Sequence, residues 1–206
     1  MAITGEAEQS KETGRVEAFS DGVFAIAITL LVLDIKVPRD LPESTRLLDA
    51  LLALWPAYFA FVTSFATIGI MWINHHRLFT LIKRSDQMLL VLNSLLLLGI
   101  TFVPFPTALL SEYIGEPDQQ IAALVYSGTF VLTAICFNLL WRYASHKNRL
   151  LDPRSDPLAV HAISRQYAFG PLLYLVAFGL AFVSGVASLA LNLLLALFFA
   201  LPARKT

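Results

Sequence analysis

Charged residues are scarce in this sequence: Asp, Glu, Lys and Arg make up only 15% of its 206 residues, whereas 57% are hydrophobic. In soluble domains about a quarter of the residues are charged. The charges that are present fall in short clusters between long apolar runs, a pattern typical of a protein that crosses a membrane several times. The composition therefore predicts an all-α integral membrane protein.

Cysteine is almost absent. Cys136 is the only one and lies within an apolar run, so the sequence excludes an intrachain disulfide and a thiolate metal cluster. The first dozen residues are polar, and no small-residue cleavage site follows in the first apolar run. We therefore expect no cleavable signal peptide.

The apolar runs predict six membrane spans, because a helix needs about 20 residues to cross a hydrocarbon core of about 30 Å. The uncharged stretch 166–203 is too long for one helix, and the sequence SGVAS at 184–188 divides it. Pro56 predicts a kink or an early turn in the second span, and Pro104 and Pro106 interrupt the third span. The six predicted spans are about 16–37, 47–76, 87–113, 119–143, 168–184 and 187–202. The chain 1–206 is thus predicted to be a single six-helix transmembrane domain.

The charges are distributed unequally between the two sides of these spans. Twelve of the 15 Lys and Arg residues lie on one side, and only Lys36, Arg39 and Arg46 lie on the other. The positive-inside rule then places both termini in the cytoplasm. On the outer side these three basic residues face seven carboxylates, a net charge of −4: Asp34, Asp40, Glu43, Asp49, Glu112, Glu116 and Asp118. A negative outer mouth concentrates cations, although ordinary solvated loops carry similar charges.

The first span carries an apolar stripe. At 100° per residue, Ile26, Leu30 and Leu33 fall on one narrow face, Thr29 borders it, and Asp34 lies near it at the outer end. Periodicity alone does not separate a pore-lining stripe from an ordinary lipid-facing or core surface.

Asp21 lies inside the same apolar run, where an ionised carboxylate costs roughly 2.5–3.5 kcal/mol. It points almost opposite to the stripe, and Arg15, six residues earlier, is not at a spacing that lets side chains meet on a helix. A bridging polar group is therefore expected from the end of the second span, WINHH, which lies at similar depth. Its adjacent histidines do not have the i,i+4 spacing of helical metal pairs, so we favour a hydrogen-bonded cluster over a metal site. An alternative for His76 and Arg77 is that they only anchor the helix at the interface.

Arg15, Phe19, Ser20 and Asp21 form an R-x-x-x-F-S-D sequence that resembles the signature of the first helix in the transmembrane protein 175 family of potassium channels. The six-span layout and the WINHH sequence resemble this family too. The resemblance implies potassium-selective leak conduction without a P-loop filter, through a pore lined by the first helices. For a single-repeat, bacterial-type member it also implies a homotetramer. The lysosomal members carry two repeats, form dimers and also conduct protons.

Carried over by position, the resemblance implies a pore constriction at Ile26, Leu30 and Leu33, with hydroxyls from Thr29 beside it. It also implies that the four signature residues are structural and that they contact a second group of residues on the second span: Trp72, Asn74 and His75. Whether His75 or His76 belongs to this group is left open. In agreement with this resemblance, the sequence has no TVGYG-like stretch that could form a ring of filter carbonyls.

We therefore expect a potassium-selective cation channel in the cell membrane of a bacterium, with K⁺ as the permeant ion and no cofactor, metal, enzymatic activity or nucleic-acid partner. Other monovalent cations or protons are further candidate permeant ions. The alternatives are a proton-permeable cation channel and a secondary transporter. A transporter is disfavoured because the six spans show no obvious inverted repeat and Asp21 lies near an end of its span. For an intramembrane enzyme, only Ser20 near the histidine pair offers a nucleophile and a base.

Overall fold

The structure, a computed structural model, describes residues 2–39, 42 and 45–201, with side chains described from residue 11 onward. The end of the last predicted span at residue 202, Asp40 and Glu43 in the outer loop, and the terminal Arg204 and Lys205 lie outside the described residues. The helices are α1 (Ala2–Leu30), α2 (Leu47–Ala53), α3 (Trp55–Leu81), α4 (Gln87–Phe102), α5 (Pro104–Tyr113), α6 (Gln119–Ser145), α7 (Pro157–Ala181) and α8 (Gly185–Ala200). A 3₁₀ turn, Leu31–Asp34, continues α1.

Four helical segments in the described part of the chain are long and apolar enough to cross a membrane: Lys11–Asp34, Trp55–Leu81, Gln87–Tyr113 and Gln119–Asn148. The apolar α8 has only 16 residues, and the first half of α7 carries His161 and Arg165. The predicted all-helical membrane protein is confirmed, while the number of six crossings stays a prediction.

Two of the predicted spans are each divided into two helices beside a proline. The second breaks at Leu54, and Pro56 lies in the first turn of α3; the third breaks at Val103, and Pro104 begins α5. Proline has no N–H to donate and its fixed φ suits a first helical turn, so both breaks start a new helix.

The last predicted pair of spans differs from the structure at its start. α7 begins at Pro157 rather than near residue 168, because the Asp156 side chain caps it by accepting a hydrogen bond from the Leu158 N–H at 3.0 Å. The break before α8 lies at residues 182–184 and ends at the first residue of the predicted SGVAS, Ser184, whose hydroxyl caps α8.

α6 lies at the centre of the bundle, where it packs against α4, α5, α7 and α8, whereas α1 packs mainly against α3 and α4. The largest fully buried side chains include Trp141, Tyr126 and Phe130 on α6 and Phe24 on α1. In a membrane, the close packing of such rings contributes van der Waals contacts that help to hold the helices together.

The loop before α4 pairs with the loop after α6. Ile82 and Leu151 form an antiparallel bridge, and the Lys83 N–H donates to the Leu150 carbonyl at 2.9 Å. Beside this bridge, Asp86 caps α4 by accepting from the Leu89 N–H at 2.9 Å. Asp86 also accepts from the Tyr143 hydroxyl at 2.6 Å and lies 3.1 Å from the Arg149 guanidinium.

We expect Asp86→Ala to lower the free energy of unfolding by about 2 kcal/mol, since a helix cap contributes about 1 kcal/mol and a hydrogen bond about 1 kcal/mol. Burial raises the pKa of Asp86, but the hydrogen bonds from Tyr143 and Leu89 and the charge of Arg149 outweigh it, so the pKa lies below its ordinary value. The stabilisation by ionised Asp86 is therefore complete above the unfolded-state pKa of about 3.9 and is lost as pH falls through the lower folded-state pKa. Thermal unfolding of the wild-type and Asp86→Ala proteins, measured from about pH 7 to about pH 3, should show that the difference between their free energies of unfolding becomes smaller in acid.

The matched control is Asp118→Ala. Asp118 precedes α6 as its N-cap residue, but its side chain makes no capping hydrogen bond. This change should alter the free energy of unfolding by less than about 0.5 kcal/mol. Equal losses of unfolding free energy for Asp86→Ala and Asp118→Ala would contradict the stabilising role of the contacts that Asp86 makes.

Candidate functional site

α1 has two distinct faces. One face is buried against α3 and α4 through Ser20, Phe24 and Ala27, and Leu31 in the following turn continues it. The other face carries the predicted stripe, whose exposed fractions are 58% for Ile26, 42% for Leu30 and 71% for Leu33. The stripe is thus not part of the chain's own core and is free to meet lipid or another copy.

The polar residues predicted beside the stripe lie on or near the same side. Thr29 is exposed and donates to the Ile26 carbonyl at 2.9 Å, so its oxygen lone pairs remain available. Asp34 is half-buried, and one of its carboxylate oxygens has no hydrogen-bond partner within the described residues. Nearby, Lys36 lies 3.8 Å from Glu112, with both side chains exposed.

On the buried side, a chain of hydrogen bonds joins three helices. The Asn93 amide on α4 donates to Ser20 Oγ on α1 at 2.9 Å, and its oxygen lies 2.9 Å from His75 Nε2 on α3. Ser20 in turn donates to the Val16 carbonyl at 2.8 Å. These buried contacts tie α1, α3 and α4 together at one depth.

The directions of these hydrogen bonds determine which ring nitrogen of His75 carries a proton. Because the Asn93 amide nitrogen donates to Ser20, its oxygen is the atom that faces His75, and Nε2 must carry a proton to donate to it. The other ring nitrogen, Nδ1, is buried and has no partner within the described chain. The ring stacks on Phe79 at 4.4 Å and tilts against Phe24 at 5.4 Å.

A second set of contacts joins α1 to α3 nearer the exposed surface. The Trp72 indole donates to Asp21 at 2.8 Å, and His76 Nδ1 lies 2.8 Å from a Glu17 carboxylate oxygen. The Trp72 and His76 rings stack at 6.3 Å. The two histidines therefore divide between two sets of contacts: His75 joins the buried chain and His76 meets Glu17.

Three of the predicted residues lie apart from this network. Arg15 and Phe19 are exposed on α1, and Arg15 makes no hydrogen bond or ion pair with any other described residue. Asn74 is buried on the far side of α3, where it lines a cavity against α6, α7 and α8. The structure thus links Ser20 to His75 through Asn93 and brings Asp21 to Trp72, but places Arg15, Phe19 and Asn74 elsewhere.

Sequence reasoning missed Asn93 and Glu17. Asn93 is a lone amide in the run MLLVLNSLLLL of α4, and a buried amide in an apolar helix needs a partner from another helix. That signal was available in the sequence, but it does not say which helix supplies the partner.

The chemistry of the site does not suit catalysis. Ser20 donates its proton to a backbone carbonyl and is separated from His75 by Asn93, so the histidine does not activate it as a nucleophile. Within the described ranges, no three His, Cys, Asp or Glu side chains group as metal ligands. The fold and the site together define a helical membrane protein whose first helix is held by a buried polar chain and leaves one apolar face uncovered.

Comparison with known proteins identifies the family. A family model described as "Endosomal/lysosomal potassium channel TMEM175" matches residues 15–104. A potassium channel of Chamaesiphon minutus is 55% identical over 197 residues, which cover 95% of this chain and 97% of that protein. The crystal structure of a lysosomal potassium-selective channel TMEM175 homolog from Chamaesiphon minutus aligns with a TM-score of 0.85 and 53% identity, covering 94% of this chain and 99% of that one.

A human protein named "Endosomal/lysosomal proton channel TMEM175" is 37% identical over 153 residues, which are 70% of this chain and 30% of that protein. The chain belongs to the TMEM175 family. The family resemblance inferred from Arg15, Phe19, Ser20 and Asp21 is confirmed, and a protein of this channel family is not an enzyme.

Proposed function

We propose that this protein is a potassium channel that conducts K⁺ passively through a pore lined by α1 of each subunit in a homotetramer. The observation that carries the proposal is the uncovered apolar face of α1 in a chain that is 55% identical to a named potassium channel. Ile26, Leu30 and Leu33 form the constriction, and Thr29 supplies hydroxyls beside it.

The spacing of the stripe supports this pore. Residues one helical turn apart are separated by about 5.4 Å along the axis, so copies of the three side chains form stacked apolar rings. A narrow apolar ring excludes water until it widens, which makes it a gate. The buried Ser20–Asn93–His75 chain holds the opposite face of α1, and so fixes the rotation that turns the stripe outward.

We further propose that the whole chain, 1–206, is one six-helix domain with both termini in the cytoplasm of a bacterial cell. The distribution of Lys and Arg residues supports this orientation. In this arrangement α7 and α8 form the last pair of crossings, and the described loop between them is only three residues long, at 182–184.

Proton permeation is a second candidate function, since the related human protein is named a proton channel. The sequence between Ile26 and Leu33 has no titratable side chain. Protons would therefore have to cross the constriction by transfer between water molecules. K⁺ is therefore the favoured permeant ion.

The proposal is tested by ion flux into liposomes that contain the purified protein. We expect K⁺ flux down its gradient in the absence of any other ion gradient, smaller Na⁺ flux, and little proton flux. Flux that requires a coupled gradient, or that saturates at low K⁺, would identify a transporter instead.

Asp34→Asn should reduce inward K⁺ current severalfold at low ionic strength, because each of the four Asp34 charges in the tetramer, about 10 Å away in water, changes a cation's energy by about 0.4 kcal/mol. Fixed charge is screened over about 8 Å at physiological salt, so the reduction should fade as salt rises. Currents in planar bilayers at several KCl concentrations measure this. A reduction by Asp34→Asn that is equal at all salt concentrations would place Asp34 in direct contact with the ion.

A further inference from the structure

The exposed surfaces of α6 and α7 each change from apolar to basic towards the loop that joins these helices. On α6 the exposed residues, spaced three or four apart, are Leu132, Ile135, Leu139 and Arg142. On α7 the exposed residues at the same kind of spacing, read back towards the loop, are Leu172, Phe169, Arg165 and His161. Each helix therefore has an exposed apolar stripe, of the kind that contacts lipid tails, and a basic side chain where that stripe ends.

A hydrogen bond between the two helices aligns the basic ends of these stripes. The Trp141 indole on α6 donates to the Ser164 hydroxyl on α7 at 2.9 Å. Arg142 directly follows Trp141, and Arg165 directly follows Ser164. Because a helix rises about 1.5 Å per residue and the two helices run in opposite directions, the two arginines differ in depth by only about 3 Å.

The two arginines also lie on the same side of the pair formed by α6 and α7. The Asn138 amide donates to the Tyr167 carbonyl at 2.7 Å, so Asn138 marks the direction from α6 to α7. Arg142 is four residues further along α6, which places it about 40° from that direction. Since α8 packs against both helices on the other side, the exposed residues beside the contact between α6 and α7 share the one open side.

Neither guanidinium group has an anionic partner within the described part of the chain. The carboxylates in and after the loop are engaged elsewhere: Asp152 accepts a hydrogen bond from the Arg154 N–H, and Asp156 accepts one from the Leu158 N–H. A long basic side chain at the end of a lipid-facing stripe extends towards the phosphates of the lipid headgroups. Guanidinium groups suit this position because their paired N–H donors match the oxygens of a phosphate.

We propose that Arg142 and Arg165 form a binding site for the phosphate of an anionic phospholipid, whose acyl chains cover the apolar stripes of α6 and α7. His161, one turn before Arg165, offers a further hydrogen-bond donor. The stripes favour a membrane lipid over free phosphate, because only a lipid covers them. The two cations favour a headgroup with net negative charge, since each basic residue near the membrane surface strengthens binding of an anionic lipid about fivefold. The lipid belongs to the leaflet beside the α6–α7 loop, which is the cytoplasmic leaflet in the orientation proposed above.

Native mass spectrometry of the assembled full-length protein tests the proposal, by titration with phosphatidylglycerol and with phosphatidylcholine of the same acyl chains. The wild type should bind phosphatidylglycerol about tenfold more tightly than phosphatidylcholine, and Arg142→Gln/Arg165→Gln should lower this preference to about twofold. Lys147→Gln/Arg154→Gln is the matched control, because it also removes two exposed cations but takes them from the loop beyond the two helices. This control should keep the wild-type preference.

A density map of the protein in phosphatidylglycerol nanodiscs should show a headgroup between Arg142 and Arg165 that is missing in the double variant. An equal preference in wild type and double variant, or none in wild type, would overturn the proposal. A double variant with an altered oligomeric state and an unchanged lipid preference would also overturn it, and would assign the surface to a second copy of the chain.

If the double variant does not assemble, the single variants Arg142→Gln and Arg165→Gln give the same test, and each should lower the preference about threefold. Lipid binding is measured without ion flux and without regard to the direction of insertion. A negative result here therefore leaves the proposed channel function and orientation in place, and a protein that conducts no K⁺ can still show the lipid preference.

Discussion

Leu30→Ser is expected to raise the K⁺ conductance of each channel about tenfold, which corresponds to a lowering of the barrier by about 1.4 kcal/mol. An ion that passes an apolar ring must shed water and gains no oxygen ligands in return, so the ring is the main barrier. A serine in each subunit places hydroxyls at that level and wets it. Leu30 is 42% exposed in the single chain, so the substitution leaves no cavity in the core. Single-channel recording in planar bilayers measures the change, and K⁺/Na⁺ selectivity is expected to relax.

The matched control is Leu172→Ser on α7, a helix that packs against α6 and α8. Leu172 is also an exposed leucine, but it should contact lipid, so its replacement should leave the unitary conductance unchanged. If an assembled Leu30→Ser protein had wild-type conductance, α1 would not line the pore and its stripe would instead face lipid.

Asn93→Leu is expected to produce the largest loss of assembled protein. The change leaves the His75 N–H buried without an acceptor, which costs about 1–3 kcal/mol. It also removes the donor to Ser20 and thus both contacts that tie α4 to α1 and α3 in this network. The released α1 can rotate, so the stripe no longer faces the pore. The fraction of protein that elutes as a tetramer, and the midpoint of thermal unfolding, should both fall.

A double-mutant cycle separates the lost bond from a packing defect. His75→Phe fits the stack between Phe24 and Phe79, and replacing both hydrogen-bonding partners by apolar groups is close to neutral. The double variant Asn93→Leu/His75→Phe should therefore be more stable than Asn93→Leu alone. Ser94→Ala is the control on α4, because the Ser94 hydroxyl bonds only within its own helix, to the Leu90 carbonyl. Purely additive effects would contradict the proposed chain.

Much of this protein was predictable because the signals are local. The long apolar runs predicted helices, and a stripe at 100° per residue predicted that Ile26, Leu30 and Leu33 share one face of the first span. The helix breaks near Pro56 and Pro104 follow from the missing N–H of proline. The R-x-x-x-F-S-D sequence was enough to indicate the family, because it combines a fixed spacing with its place at the start of a first span.

The partners of the polar residues could not be predicted in the same way. Asn74 and His75 are neighbours on α3 and point about 100° apart, so they meet different helices: His75 reaches Asn93 and α1, while Asn74 faces the cavity beside α7. Ser20 and Asn93 are 73 residues apart in sequence, and no periodicity within one helix relates them.

The sequence by itself thus determined the membrane class, the helices, the apolar stripe and the family. Only the tertiary structure decided which buried side chains meet, that Asn93 links Ser20 to His75, and that His76 rather than His75 contacts Glu17. The physical reason is that helix formation and amphipathicity depend on residues a few positions apart, whereas a contact between helices depends on how each helix is rotated and packed against the others.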